Sequence, residues 1–321
     1  MKPSSSSGAE SASSHAIELS ERVTSFAEGS IRCVLLYGSH LLKTNPDRHS
    51  AIDFVLVVDE YRPFYQALRS AGQLSRPVGL MSALANVLPP NVIALAPDGP
   101  DGGLAKCLVV SAAHLESALG AQPKDHFLLG RLVQRIGYLW ARTEADDTWV
   151  RGVVSGAHAR VLQWMAPYLT EPVDAAGLGR RMLEVCYQGE VRPEAKNRSD
   201  RVFEAQSDHM ITALRPVLEA AVSTGRMQRD GDRFVLTRPV KTSDRARWRR
   251  HFLRSKVRST SRWLKHMLTF DNWLPYVTRK VERHTGRKIH LTLLERRFPL
   301  LFLWPRAIHV LTTRPRSEVP R

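Results

Sequence analysis

Cysteine is scarce in this 321-residue chain. Cys33, Cys107 and Cys186 are far apart and lack the short spacing of metal ligands, which excludes a disulfide framework or a zinc site built on cysteine. They read as reduced core thiols in a cytosol-facing protein. Long apolar runs are missing too. The densest cluster, Phe298-Pro299-Leu300-Leu301-Phe302-Leu303-Trp304-Pro305, falls far short of the roughly 20 residues that span a bilayer. The opening Met1 to Ser14 segment is serine-rich without an apolar stretch, and is expected to be a disordered tail, neither signal peptide nor spanning helix. Acidic residues are short in one place only. Residues 241 to 321 hold 21 Lys and Arg against 5 Asp and Glu, whereas residues 1 to 240 hold 26 of each. The whole excess of +16 therefore lies in the C-terminal quarter. Such a block seeks a polyanion, either nucleic acid or an anionic membrane surface.

What is present is a chain that is 43% hydrophobic, long enough for two or three domains with real cores. Its most informative stretch runs from Tyr37 to Asp59. The apolar run Val34-Leu35-Leu36 leads into Tyr37-Gly38-Ser39, a polar loop passes through Asn45, Pro46 and Asp47, and a second apolar run opens on Asp53. Glycine lets backbone approach a phosphate, and serine with neighbouring amides donates to anionic oxygens without adding charge. Asp53 would then hold Mg²⁺, which takes oxygen ligands and shares them with substrate phosphates. This is the layout by which nucleotidyltransferases set a triphosphate beside a metal-binding carboxylate. The duller reading of Gly38-Ser39 is a turn between two buried strands. The usual Asp-x-Asp pair is absent, because Ala51 stands at its first position, so a second carboxylate must come from elsewhere.

The rest of the chain suggests an α+β fold. Helix is expected at residues 17 to 28 and from Pro63 to Leu74, strands at Ile31 to Tyr37, Asn91 to Leu95 and Leu104 to Ser111, with a Pro/Gly-broken stretch up to Pro100. From Asp125 to Leu169 the pattern reads as helices anchored by Trp140, Trp149 and Trp164, followed by helices at Ala175 to Tyr187 and residues 207 to 223. Arg226 to Arg238 reads as a hairpin turning at Asp230-Gly231. The predicted organisation is a tail (1–16), a nucleotidyltransferase-type mixed-sheet core (17–125), a helical winged-helix-like domain (126–240) and a basic amphipathic segment (241–321). In that last segment Leu253, Val257, Thr260, Leu264, Met267 and Leu268 share one helical face, opposite Arg254, Arg258, Arg262 and Lys265. This is the pattern of an interfacial helix or of a helix packed on the protein's own body.

Four segments together resemble the mitochondrial-type phosphatidate cytidylyltransferases, the translocator assembly and maintenance family, in a bacterial relative. They are Leu36-Tyr37-Gly38-Ser39 with Ile52 to Asp59, where the family also carries a single aspartate; Gly102-Gly103-Leu104-Ala105-Lys106 with Val110-Ser111; Leu129-Gly130-Arg131-Leu132; and Tyr187-Gln188-Gly189-Glu190-Val191-Arg192. Glu190 stands where the family has Asp, Gly103 where it has Arg, and its His-bearing stretch has no counterpart around Phe64 to Ala85.

The resemblance implies transfer of a cytidylyl group from CTP to phosphatidic acid, with Mg²⁺, by a peripheral protein on the cytoplasmic face of the inner membrane. It implies Asp53 and Glu190 as metal ligands, Asp53, Glu190 and Lys106 as catalytic groups, and Tyr37, Gly38, Ser39, Lys106, Arg131, Tyr187 and Arg192 around the nucleotide and its phosphates. Each has a plainer alternative: Lys106 snorkelling from a strand edge, Arg131 on a helix surface, Glu190 and Arg192 in a solvated cluster after a helix capped by Gly189. Two other classes compete. One is a nucleotidyltransferase with an RNA or soluble acceptor, the basic tail contacting nucleic acid. The other is a non-catalytic relative that binds anionic lipid or nucleic acid. The apolar residues around Leu264 and Leu301 favour lipid over RNA.

Overall fold

The structure, a computed structural model, describes residues 14–42, 51–96, 104–188 and 198–270, with Thr278, Glu282, Thr292 and Glu295. The expectations for the tail before residue 14, the loop at Asn45 to Asp47, Gly102-Gly103, Gly189 to Glu194 and the Phe298 to Pro305 cluster lie outside the described residues. The elements run α1 (Ser14–Ser25), β1 (Ile31–Tyr37), α2 (Ser39–Leu42), β2 (Ile52–Val58), α3 (Tyr61–Ser70), α4 (Val78–Val87), β3 (Asn91–Leu95), β4 (Ala105–Ser111), α5 (Ala112–Leu119) and α6 (Leu129–Leu132). They continue β5 (Gly137–Ala141), α7 (Glu144–Ala159), α8 (Val161–Met165), α9 (Ala175–Gln188), α10 (Arg198–Glu204), α11 (Ser207–Ser223), β6 (Met227–Asp230), β7 (Arg233–Leu236) and α12 (Thr242–Thr269). The fold is α+β.

Five strands form one mixed sheet in the order β3-β4-β2-β1-β5. β2 pairs antiparallel with β1 and parallel with β4. The central strands are buried along almost their whole length on both faces, which is why they read as continuous Val, Leu and Ile runs. One face, with Val34, Leu36, Phe54 and Leu56, packs against α1, α3 and α4. The other, with Leu35, Val55, Val57 and Leu108, joins a cluster that runs through α7, α8, α9 and α11 to Phe270.

Two elements depart from the sequence reading. β5 lies inside the stretch read as helices, and Trp140 belongs to this edge strand, not to a helix. Its pairing partner β1 is about a hundred positions earlier, so nothing local announces it, and strand preference depends on such context. Trp164 is buried on α8 as an anchor, while Trp149 is only partly buried on α7. The second departure is α4, which forms where Pro and Gly suggested irregular chain; it buries only Met81 and Ala85 and leaves Leu80 and Val87 exposed. The hairpin β6–β7 turns at Asp230-Gly231, with Gly231 at φ +60. Cys33, Cys107 and Cys186 are all buried and none forms a disulfide.

α12 is seated with its polar side inward. Ser255, Ser259, Arg262, Lys265 and Thr269 are buried, whereas Leu253, Val257, Trp263, Leu264 and Leu268 are 42–65% exposed. Burying a cation is costly unless it is paired and hydrogen-bonded, and here it is. Arg262 donates to the Pro89 carbonyl at 2.6 Å and to Asp125 at 2.7 Å, Lys265 donates to the Leu88 and Pro90 carbonyls, and Thr269 donates to Val92 at 2.8 Å. Arg258 reaches Asp125 at 2.9 Å, and the Ser255 hydroxyl accepts from the His126 amide at 2.9 Å. The basic face drawn from the wheel is thus partly internal: Arg262 and Lys265 hold the helix to the body. Among the described residues no helix is long and apolar enough to cross a membrane.

Candidate functional site

β1 ends where β2 begins, and β4 begins beside them. In the pairing register Tyr37 faces Asp53 and Asp53 faces Lys106. Side chains alternate along strands, so all three fall on the face that carries Leu35, Val55 and Leu108. They form a polar row at the point where that face leaves the core. Lys106 Nζ lies 3.0 Å from Asp53 Oδ1, with the two side chains 30% and 22% exposed. A pair this open contributes about 1 kcal/mol or less to folding, so its significance lies in chemistry, a fixed ammonium against a fixed carboxylate.

Gly38 closes the site from the strand end. Its φ of +83 suits glycine alone, and a Cβ there would stand 3.0 Å from Asp53 Oδ2. The Gly38 carbonyl accepts the amides of Leu41 and Leu42, both at 3.1 Å, which winds the single turn α2 with Ser39 as its first residue. The bend at Gly38 therefore approaches the carboxylate so closely that a side chain there would meet it.

Tyr37 is buried, and its hydroxyl is pushed up to about 12 by burial and then by the Asp53 charge, while Arg131 donates a hydrogen bond to it. Tyr37 thus stands between Asp53 and Arg131. Arg131 also donates to the Phe127 carbonyl at 2.6 Å and lies over the Phe127 ring at 3.7 Å, a stacking worth about 1 kcal/mol that holds the guanidinium flat. It is a fixed cation on α6, not a loose surface arginine.

Gly130 explains how the third and fourth segments meet. A Cβ on it would lie 2.9 Å from Cys186 Cβ, so α6 and the end of α9 touch at this glycine, and Tyr187 follows the contact, partly buried on the same cluster. The fold thus brings Tyr37, Gly38, Ser39, Asp53, Lys106, Arg131 and Tyr187 to one region. Glu190 and Arg192 lie outside the described residues.

His266, on α12, is the residue the sequence reading missed. It sits 6.1 Å from the Phe127 ring, centroid to centroid, its Nε2 is buried without a partner, and its pKa is held well below the ordinary value by burial and then by Lys265, Lys106, Arg262 and Arg131. The imidazole therefore feels the charges of Lys106 and Arg131, two cations of the Asp53 region. No spacing rule ties residue 266 to residue 53; only the docking of α12 does so.

Among the described residues no three His, Cys, Asp or Glu side chains converge as a metal cage. Asp53 offers one carboxylate, and the rest of a hard cation's shell would be triphosphate oxygens and water. That donor set suits Mg²⁺, which commonly binds through one or two carboxylates and substrate phosphates. Compared with models of known families and with curated proteins, the chain matches none.

Proposed function

We propose that this chain is a Mg²⁺-dependent nucleotidyltransferase that moves a cytidylyl group from CTP to phosphatidic acid, giving CDP-diacylglycerol and pyrophosphate. The finer fold reading, a nucleotidyltransferase-type core followed by a winged-helix-like domain, belongs to the same proposal. The observation that carries it is the close approach of Gly38 to Asp53, with Lys106 at 3.0 Å on the other carboxylate oxygen. The resemblance of the four segments names the substrates.

In this reading the ionised phosphate oxygen of phosphatidic acid attacks the α-phosphorus of CTP. The new P–O bond forms as the bond to the β-phosphate oxygen breaks, and its electron pair leaves with pyrophosphate. No strong general base is needed, so catalysis rests on positioning and charge compensation. Gly38 and Ser39 hold the β- and γ-phosphates; Lys106 and Arg131 balance developing negative charge. Asp53 would hold Mg²⁺, with Glu190 as the proposed second ligand, and the metal would supply charge neutralisation at the triphosphate.

The outward apolar face of α12 supports a membrane-bound acceptor. Fully burying a Leu or Val is worth roughly 1.5–3 kcal/mol, yet Leu253, Val257, Leu264 and Leu268 stay largely exposed while charged neighbours are buried. A bilayer interface rich in anionic lipid would cover that face and attract the flanking arginines. An RNA acceptor would gain nothing from it. The proposed location is peripheral, on the cytoplasmic face of an inner membrane.

The test is incorporation of labelled CTP into lipid with phosphatidic acid, and separately into RNA, each with and without Mg²⁺. Asp53→Asn should lower lipid labelling by about 100-fold or more with an unchanged circular dichroism spectrum. Wild-type turnover in that variant would remove Asp53 from the mechanism, and label in RNA alone would replace the acceptor.

A further inference from the structure

A small pocket of about 70 Å³ opens between the end of α4, one side of α5 and the flank of α12. It is lined by three cationic side chains, Lys124, Arg258 and Arg262, together with His114, Asp125 and Val87. The Asp125 carboxylate is engaged on its own side, by Arg258 Nε at 2.9 Å, Arg262 Nη2 at 2.7 Å and the Phe127 amide at 3.1 Å. One acid against three cations leaves positive charge in excess. Arg262 is 2% exposed and its Nη1 is buried with no hydrogen-bond partner among the described residues, a state that normally calls for an explanation such as an anion.

His114 is held by Tyr61. The Tyr61 hydroxyl accepts the Ser111 amide at 3.0 Å and lies 2.9 Å from His114 Nδ1. Nδ1 is thus engaged inside the protein, and Nε2 donates to a ligand in the tautomer that takes the Tyr61 proton at Nδ1. Lys124 stands close enough to add to the burial that lowers the His114 pKa.

Size decides what kind of anion fits. About 70 Å³ is several times the roughly 10–15 Å³ that admits one water by the same measure, enough for one tetrahedral oxyanion. Place decides where the anion comes from. Val87, at the lip, is 77% exposed, and the neighbouring α12 turns its apolar side, including Val257 at 65%, to the outside. Arg262 shares the Phe127 ring with Arg131 of the candidate catalytic row, but the His114 wall of the pocket lies well away from Asp53 and Lys106. Lys106 stands near the start of β4, and His114 lies beyond its end at Ser111, about 17 Å along the strand.

We propose that this pocket binds the terminal phosphomonoester of an anionic membrane lipid, Lys124, Arg258, Arg262 and His114 donating to its oxygens while Val87 and the outer face of α12 enter the apolar layer. The proposal rests on the membrane part of the function proposed above. It assigns a second lipid phosphate, distinct from the reacting one, that sets how the protein sits on its substrate surface.

The test uses the full chain with vesicles of phosphatidylcholine alone, with added phosphatidic acid, or with charge-matched phosphatidylglycerol, whose phosphate is a diester. Glycerol 3-phosphate without vesicles is the free-phosphate arm. Lys124→Gln and Arg258→Gln should lose about tenfold or more in binding to phosphatidic acid vesicles and lose the preference over phosphatidylglycerol. Arg249→Gln, exposed on α12 outside the pocket, should lose about fivefold on both vesicle types alike. The assignment is overturned if the pocket variants behave as Arg249→Gln does, or if the wild type shows no preference between the two lipids. It is also overturned if glycerol 3-phosphate raises the melting temperature through these residues while vesicles show no preference, because the ligand is then a free phosphate. None of these outcomes touches CTP incorporation, which tests the catalytic reading separately.

Discussion

Gly38 concentrates the site's logic in one residue. Its backbone adopts φ +83 and its missing side chain leaves room for Asp53 Oδ2. Gly38→Ala should cost about 1–3 kcal/mol in urea unfolding, the price of a strained left-handed residue. Any turnover of labelled CTP should fall by more than that loss of folded protein explains, because the carboxylate must shift. A variant with full turnover would show that the close approach is incidental. At this scale much was legible: an apolar run into Gly-Ser, then a strand opening on aspartate, forecasts a bend facing a carboxylate. Tyr37 was not legible in its role. Only the pairing of β1 with β2 shows that it is buried beside Asp53 and turned to Arg131.

α12 shows why an element can be forecast while its orientation cannot. A helical wheel separates Leu253, Val257 and Leu264 from Arg258, Arg262 and Lys265, and both the membrane and the packed reading assume that apolar residues go to whatever covers the helix. The structure seats the polar side inward because the 88–90 carbonyls and Asp125 are positioned to receive it. Asp125→Asn should therefore cost about 3–5 kcal/mol by leaving Arg262 charged and under-compensated in the interior, read as a fall in melting temperature. Burial raises the Asp125 pKa, but the Arg262 charge and its hydrogen bonds outweigh it and leave the group below its ordinary value. Its contribution is therefore present at neutral pH and lost as acid protonates it.

Lys265 moves stability with pH in the same direction, across a higher window. Burial first, then Arg262 and Arg258, push it down to about 6 from an ordinary 10.5. Between those values the unfolded chain binds a proton that the folded chain excludes, so stability rises with pH across that window and flattens below it. A neutral amine still has two protons for the Leu88 and Pro90 carbonyls. Urea unfolding of wild type at about pH 7 and pH 9 should show this gain, and Lys265→Met should show less of it. An identical slope in both proteins would mean that the folded chain keeps this lysine charged.

On the scale of the whole molecule, the body that carries the Asp53 row also carries an exposed apolar helix face, so the chemistry and the surface attachment proposed above would share one support. Leu264→Asp should reduce binding to anionic vesicles by about tenfold or more without lowering the melting temperature, because Leu264 is 46% exposed and takes no part in seating the helix. A loss of stability instead would show that this face packs on protein. Equal binding of the variant and the wild type would move membrane contact away from α12.

The sequence by itself determined the strands that build the sheet, the helices with strong periodicity, the Asp230-Gly231 hairpin and the four short segments that point to phosphate chemistry, because each depends on neighbours close along the chain. Tertiary structure alone decided that β5 completes the sheet, that α6 and α9 meet at Gly130, that α12 faces inward with its cations, and that His266 stands near Lys106. These depend on contacts between residues tens to hundreds of positions apart, whose free energy exists only once the sheet and its covering helices have assembled.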